Sequence, residues 1–312
     1  MRATENRDAT EDTEDTEITG NTENMLSHGT KALGRALLLG SLLASLSIGS
    51  MSAQLPPSTA EPLHRPFDQI LDIYVRDGLV YYGAIKAERG RLDRYVASLD
   101  VPAATYEGWS RDQKLSFWIN AYNAFVLQSV ANNYPIRGKA AGYPANSVRQ
   151  IPGVFERTKH RAAGRSVTLD EIEKTILPEF KEPRAYLALG RGALGSGRLR
   201  SEAFTADRLE EQLTAVSDDF VRRRQMLVID RAQGTMSVTP IVSWREAEFV
   251  AAYDPGAEGP FAQRSPLERA MVALLMPRLL PLEKEFLRQN NFRMVFQDFD
   301  WRLNDLTGGR PD

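Results

Sequence analysis

The sequence predicts an α+β fold, a mostly helical single domain carrying a small mixed or antiparallel sheet. Three observations carry that prediction. Amphipathic helical segments and short β-branched or aromatic runs intermix without a regular βαβ rhythm, which argues against a doubly wound sheet. Capping boxes recur ahead of apolar runs, at Ser110/Gln113, Thr168/Glu171, Ser243/Glu246 and Ser265/Glu268. Residues 114–127 read as a helix with too little polar surface to lie against water, so it is expected at the centre of the core.

Taken in order, residues 1–24 are built from Thr, Glu, Asp and Asn and are expected to be a disordered acidic extension. Residues 25–53 follow the order of a secretory signal peptide: a mildly basic run to Arg35, an apolar run over 36–48, then small residues with cleavage within 49–54. Met25 is read as the initiator. The apolar run falls short of the ~20 residues of a membrane span. The expectation is an exported chain, periplasmic or secreted, with no stable span after cleavage; an uncleaved anchor is the alternative. Residues 54–66 read as a proline-containing linker, 67–305 as the domain and 306–312 as a tail.

Within the domain, 67–75 has helical spacing, Asp77-Gly78 is a turn, and 79–82 is a strand candidate. An amphipathic helix is expected over 84–99. Ser110 starts the core helix, which ends before Tyr134-Pro135 because the residue preceding proline avoids the helical region. Residues 137–153 are a loop. A hairpin is expected around Ala163-Gly164, then a helix from Thr168 to near Pro178, and a short strand over 185–189. A Gly/Arg-rich loop spans 190–200, a helix starts at Thr205, and two strands flank Gln233-Gly234. Helices follow Ser243 and Ser265, the second with proline at its first position. Residues 292–296 form a last strand.

Composition narrows the chemistry. The chain has no cysteine, which removes disulfides, thiolate catalysis and thiolate metal sites together. Of three histidines, His28 lies in the signal segment, His64 in the linker, and His160 on what reads as a solvated hairpin edge. No Ser-His-Asp arrangement, histidine-rich metal site or cofactor is expected. The net charge is −2, and loss of 1–53, with eight acids and four bases, turns it to near +2; neither balance suits a nucleic-acid binder.

Two features point to a site. On the core helix the polar residues Ser116, Asn120 and Asn123 share one edge, and buried amides must find partners. A loop or a ligand is expected to dock there. The loop from Gly190 to Arg200 contains a formal G-x-G-x-x-G at Gly190, Gly192 and Gly195. The following helix starts only at Thr205, and the acids at the right distance, Glu210 and Glu211, fall inside that helix, so a dinucleotide site is not supported. Glycines admit close backbone approach, and Arg191, Arg198 and Arg200 are candidates to clamp an anion. The competing structural role pairs them with Glu202 or Asp207. Asp298, Asp300 and Asp305 frame Trp301 without a second acidic cluster opposite, which suits a strand-end cap better than a carboxylate-pair hydrolase.

The stretch Ser116-Phe-Trp-Ile-Asn-Ala-Tyr-Asn-Ala-Phe125 resembles the hallmark helix of the domain of unknown function 547 family. The likeness continues in order through Gly78-Leu-Val-Tyr-Tyr-Gly, Val167-Thr-Leu-Asp-Glu-Ile-Glu-Lys, Tyr186-Leu-Ala-Leu, Ser201-Glu-Ala-Phe-Thr, the helix over 209–220 and Phe299-Asp-Trp-Arg-Leu-Asn304, roughly 67–304 in all. Family members commonly carry cysteines in the loop that here reads 190–198, and a histidine where this chain has Lys174. The resemblance therefore implies thiol hydrolase or transferase chemistry and a distant papain- or transglutaminase-like fold. In this chain the thiol is absent and lysine replaces the histidine.

The expected function is thus a non-catalytic binding domain of unknown molecular role. Its expected site lies between the 118–123 helix and the 190–200 loop: Trp118 and Tyr122 as an apolar wall, Asn120 and Asn123 fixing the loop or a ligand carbonyl, Arg191, Arg198 and Arg200 as the anion-facing side, with Glu202 beside them. The expected partner is a small anionic ligand or a cell-envelope component. The alternative is a hydrolase or transferase of amide or ester bonds using Ser196, Ser201 or Glu202, with Lys174 as a base. A protein-interaction module is the third reading.

Overall fold

The computed structural model describes residues 60–308. The expected acidic extension and signal peptide lie outside the described residues, as do 54–59 of the linker and the end of the tail. The first helix, α1 (Ala60–Tyr74), starts before Phe67 and accommodates Pro66. It buries Phe67, Ile70, Leu71 and Tyr74, the spacing that predicted it. A two-residue turn at Asp77 (φ 49°) and Gly78 (φ 81°) joins β1 (Val75–Arg76) to β2 (Leu79–Val80). The expected helix over 84–99 is two, α2 (Tyr82–Ala87) and α3 (Gly90–Ser98), because the chain turns at Glu88-Arg89 before Gly90. Helix α4 (Ala103–Glu107) leads to the Ser110 cap.

The core is arranged on α5 (Arg111–Asn133). Its Ser110/Gln113 capping box forms reciprocally, with bonds of 3.2 and 2.8 Å. From Leu115 to Leu127 every side chain is buried, so this helix has no solvent face along that stretch. It packs against α1, α2, α3 and the helix that follows the next hairpin. That hairpin pairs β3 (His160–Ala162) with β4 (Arg165–Val167) through Ala163 (φ 50°) and Gly164 (φ 72°). His160, expected on a solvated edge, is instead buried and stacked on Phe125 at 4.3 Å between ring centres. Helix α6 (Leu169–Glu171) widens into a π turn over Ile172–Ile176 and tightens to 3-10 over Leu177–Phe180. Pro178 has no N–H to offer the Lys174 carbonyl, which removes one ordinary helical bond there.

The strand expected over 185–189 is helix α7 (Arg184–Ala188). A short apolar run carries no period that separates strand from helix, and Pro183 just before it favours a helical start. Helix α8 (Leu209–Arg222) follows a 3-10 turn. The three-stranded sheet is mixed: β5 (Leu227–Asp230) pairs antiparallel with β6 (Thr235–Val238), which pairs parallel with β7 (Arg293–Phe296). Between β6 and β7 lie α9 (Ile241–Trp244), α10 (Glu246–Tyr253), α11 (Pro266–Leu275) and α12 (Pro281–Arg288). The Ser265/Glu268 box forms, whereas Ser243 donates to Pro240 O at 2.9 Å inside α9 and caps nothing. Beyond β7, the segment over 299–305 forms no strand and contributes isolated bridges, Ala193 with Leu303 and Val80 with Asp305.

Candidate functional site

The two amides on α5 fix the positions of everything after α7. Asn120 donates to Phe204 O at 2.7 Å and accepts from Phe204 N at 2.9 Å. Asn123 accepts from Gly190 N at 2.8 Å and donates to Ala188 O at 3.2 Å. Both side chains act as local backbone, holding the extended 189–204 segment against the core helix where it has no strand to pair with.

The glycines of that loop serve the same close fit. A Cβ at Gly197 would lie 1.6 Å from Leu187 O, and one at Gly195 would lie 2.6 Å from Asp300 N. Gly195 N also donates to Asp300 O, and Leu194 N to Arg302 O, both at 2.9 Å. The glycine pattern is therefore occupied by the protein's own backbone.

So held, the loop turns Arg191 inward, where it is 2% exposed. Its guanidinium grips Glu173 through both oxygens, at 2.6 and 3.3 Å, and donates to Tyr186 O at 3.2 Å. Tyr122 Oη donates to Glu173 at 3.1 Å. Burial pushes the Glu173 carboxyl up, but the Arg191 charge and hydrogen bonds outweigh it and hold it below its ordinary value. Burial and the neighbouring Glu173 push the Tyr122 phenol well up.

Above this buried pair lies a cavity of about 230 Å³. Its floor is Glu173 and Arg191; Asp170 and Lys174 stand on one side, Arg149 and Phe155 on another, and Trp244, Arg245 and Trp301 complete it. Each cation has a carboxylate beside it. Lys174 meets Asp170 at 2.6 Å, Arg149 meets Glu156, and Arg245 meets Glu248. Glu156 and Glu248 do not line the cavity, so its wall carries four cations against two acids. Arg149 lies between the rings of Phe155 (4.4 Å) and Trp301 (4.7 Å). Trp301 stacks near parallel to Trp244, at 18° and 6.4 Å, and Phe299 touches both.

The residues expected to form the site are distributed differently. Arg191 reaches the cavity. Trp118 is fully buried, with its indole N–H donated to Tyr106 Oη at 2.8 Å, and Tyr122 lies beneath the Glu173 carboxylate. Asn120 and Asn123 hold the loop, as above. Arg198 pairs with Asp77 at 3.2 Å and Asp219 at 3.4 Å; Arg200 pairs with Glu202 at 2.5 Å, and Glu202 also with Arg208 at 2.9 Å. None of Arg198, Arg200 and Glu202 lines the cavity, so the three arginines do not converge on one anion. Ser196 is 4% exposed, its Oγ accepting from Arg191 N at 3.0 Å. Arg149, Phe155, Trp244 and Arg245 escaped sequence reasoning; Trp301 was visible only as a ring framed by acids. Ser243-Trp-Arg-Glu246 drew attention as a cap, while its tryptophan and arginine were the informative pair. Among the described residues, no group of His, Asp or Glu is placed to hold a metal ion, and no helix is long and apolar enough to cross a membrane.

Lys174, where the resembled family commonly has histidine, and Arg191, in the loop where it commonly has cysteines, thus line one cavity although they lie on different elements. Residues 106–221 match the family described as Protein of unknown function, DUF547. No curated protein and no solved structure matches the chain. The matched segment supplies Arg149, Phe155, Asp170, Glu173, Lys174 and Arg191, while Trp244, Arg245 and Trp301 come from the chain beyond it. The likeness read from the sequence is thus supported by a DUF547 match, confined to residues 106–221 of the chain.

Proposed function

We propose that this protein is an exported, non-catalytic binding domain whose site for a small anionic ligand is the Lys174–Arg191 cavity. The observation that carries the reading is the cavity lining, with three cationic side chains, Arg149, Lys174 and Arg245, against one carboxylate, Asp170, above the buried Arg191–Glu173 floor. Arg191 is already committed to Glu173, so it acts as the floor. Lys174 is the adaptable partner. Its side chain is 62% exposed and its i,i+4 pair with Asp170 is of a kind worth only a few tenths of a kcal/mol, so a ligand anion competes for it at little cost. Binding is favoured over turnover because Ser196, Ser201 and Glu202, the candidate nucleophiles, do not line the cavity. Export rests on the residue order over 25–53 and is checked by the N-terminal mass of protein recovered from the cell envelope or medium, expected to start within 49–54.

Calorimetric titration with a panel of small carboxylates and phosphates tests the site. At least one should bind saturably, more weakly at high salt, and about tenfold more weakly in Lys174→Ala. A panel in which nothing binds, or binding indifferent to Lys174→Ala, sinks the proposal.

A further inference from the structure

The cavity wall is more specific than its charge. Three of its features must be satisfied by one ligand. The first is the two cations Arg149 and Lys174, which line the cavity from two sides and call for an acceptor of negative charge between them. The second is Asp170. It uses Oδ2 on Lys174 at 2.6 Å, and Oδ1 has no donor among the described residues. The third is the aromatic rim. Trp244 is 44% exposed and lines the cavity, and its ring runs near parallel to that of Trp301, which lines it too.

These demands conflict for most anions. A bare phosphate satisfies the cations but offers the rings nothing. An aromatic acid satisfies the cations and stacks on the rings, yet it has no hydroxyl to donate to Asp170. A neutral sugar donates to Asp170 and lays its C–H face on the tryptophans, but brings no negative charge to the cations. A pyranose bearing a carboxylate does all three. Its carboxylate faces Arg149 and Lys174, its hydroxyls donate to Asp170, and its apolar ring face covers Trp244. The cavity, about 230 Å³, is below the roughly 300–1,000 Å³ typical of drug-sized ligands and suits one such ring.

We infer that the cavity recognises a sugar acid, a single hexuronate-sized ring or the end of a chain of them, with Trp244 as its stacking platform. This inference rests on the anion-binding reading above. It is tested on the full chain by tryptophan fluorescence and calorimetry with four probes: D-glucuronate, D-glucose, benzoate and inorganic phosphate. D-glucuronate should bind at least about tenfold more tightly than the other three. Trp244→Ala should weaken D-glucuronate about tenfold, with Trp244→Phe recovering part of the loss and both variants keeping the parent thermal transition. If benzoate or phosphate binds as tightly as D-glucuronate, the sugar-acid inference is overturned while the anion site stands. If D-glucose matches D-glucuronate, the anionic requirement fails and both ideas go with it. If no probe binds, both are likewise overturned.

Discussion

Truncating Arg191 to alanine would leave the Glu173 carboxylate buried with Tyr122 Oη as its remaining side-chain donor. Breaking one side of a buried pair costs about 3–5 kcal/mol, because a charge is left uncompensated where water cannot reach. Urea unfolding of Arg191→Ala should show a loss of that order, and adding Glu173→Gln should recover part of it by removing the stranded charge. The same pair predicts a pH response. The folded pKa of Glu173 lies below its unfolded value, so its contribution is present above pH about 4.5 and is lost as the pH falls through the folded value. In Arg191→Ala the sign reverses, since burial alone pushes the carboxyl up, and that variant should gain stability relative to the parent on acidification. Asn120 makes a parallel case without charge. Asn120→Ala orphans the Phe204 N–H and C=O and should cost about 1–3 kcal/mol, read from the same unfolding curves.

At the level of elements, capping and turn chemistry were the most legible signals. Ser110, Thr168 and Ser265 each start a helix with the reciprocal bonds their spacing implies, and Asp77-Gly78, Gly164 and Gly234 take the left-handed turns their residue types allow, Gly164 carrying Ala163 into the same region beside it. The helix over 114–127 was legible because a segment apolar on nearly all sides has only one stable environment. Two elements were not. The run over 185–189 is too short to display a period, and its helix is set by Pro183 and by packing on α8. Ser243 sits where a capping box would begin, but the chain is already helical there, so its hydroxyl turns to Pro240. The site was half legible. The sequence located the loop and the amides that fix it, because both are local patterns. It could not bring Trp244 and Trp301 beside Lys174, since that depends on the path of the chain through α8 to α12. The loop itself makes a sharp prediction. A methyl at Gly197 would collide with the Leu187 carbonyl, an obstacle that no side-chain rotation relieves. Gly197→Ala should cost at least the 1–3 kcal/mol usual for overpacking, measured as a lowered melting temperature, whereas Gly234→Ala, with open space around its Cβ, should show only the strain of its positive φ.

For the molecule as a whole, acid sensitivity should begin with histidines rather than carboxylates. Burial lowers His64 to about 3 and His160 to about 4, from an ordinary value near 6.5. His64 keeps one bond, to Tyr95 Oη at 2.8 Å, and the Nε2 of each ring is buried without a partner. Both must stay neutral while folded, whereas the unfolded chain protonates them below pH 6.5. Stability should therefore fall as the pH drops from 6.5 towards 4, with a slope of up to about 1.4 kcal/mol per pH unit for each histidine. Unfolding free energies measured across that range should show the slope, and the pair His64→Gln with His160→Phe should flatten it. On the proposed reading, one face of the molecule receives a ligand while the core helix beneath it is closed. The four tryptophans report on the two regions separately, with Trp109 and Trp118 packed in the core and Trp244 and Trp301 at the cavity. The most direct measurement is a ¹H–¹⁵N spectrum of the indole N–H signals during titration with D-glucuronate. The Trp244 and Trp301 signals should move together and saturate while those of Trp109 and Trp118 stay in place; movement of the core pair, or of no indole at all, would contradict the account.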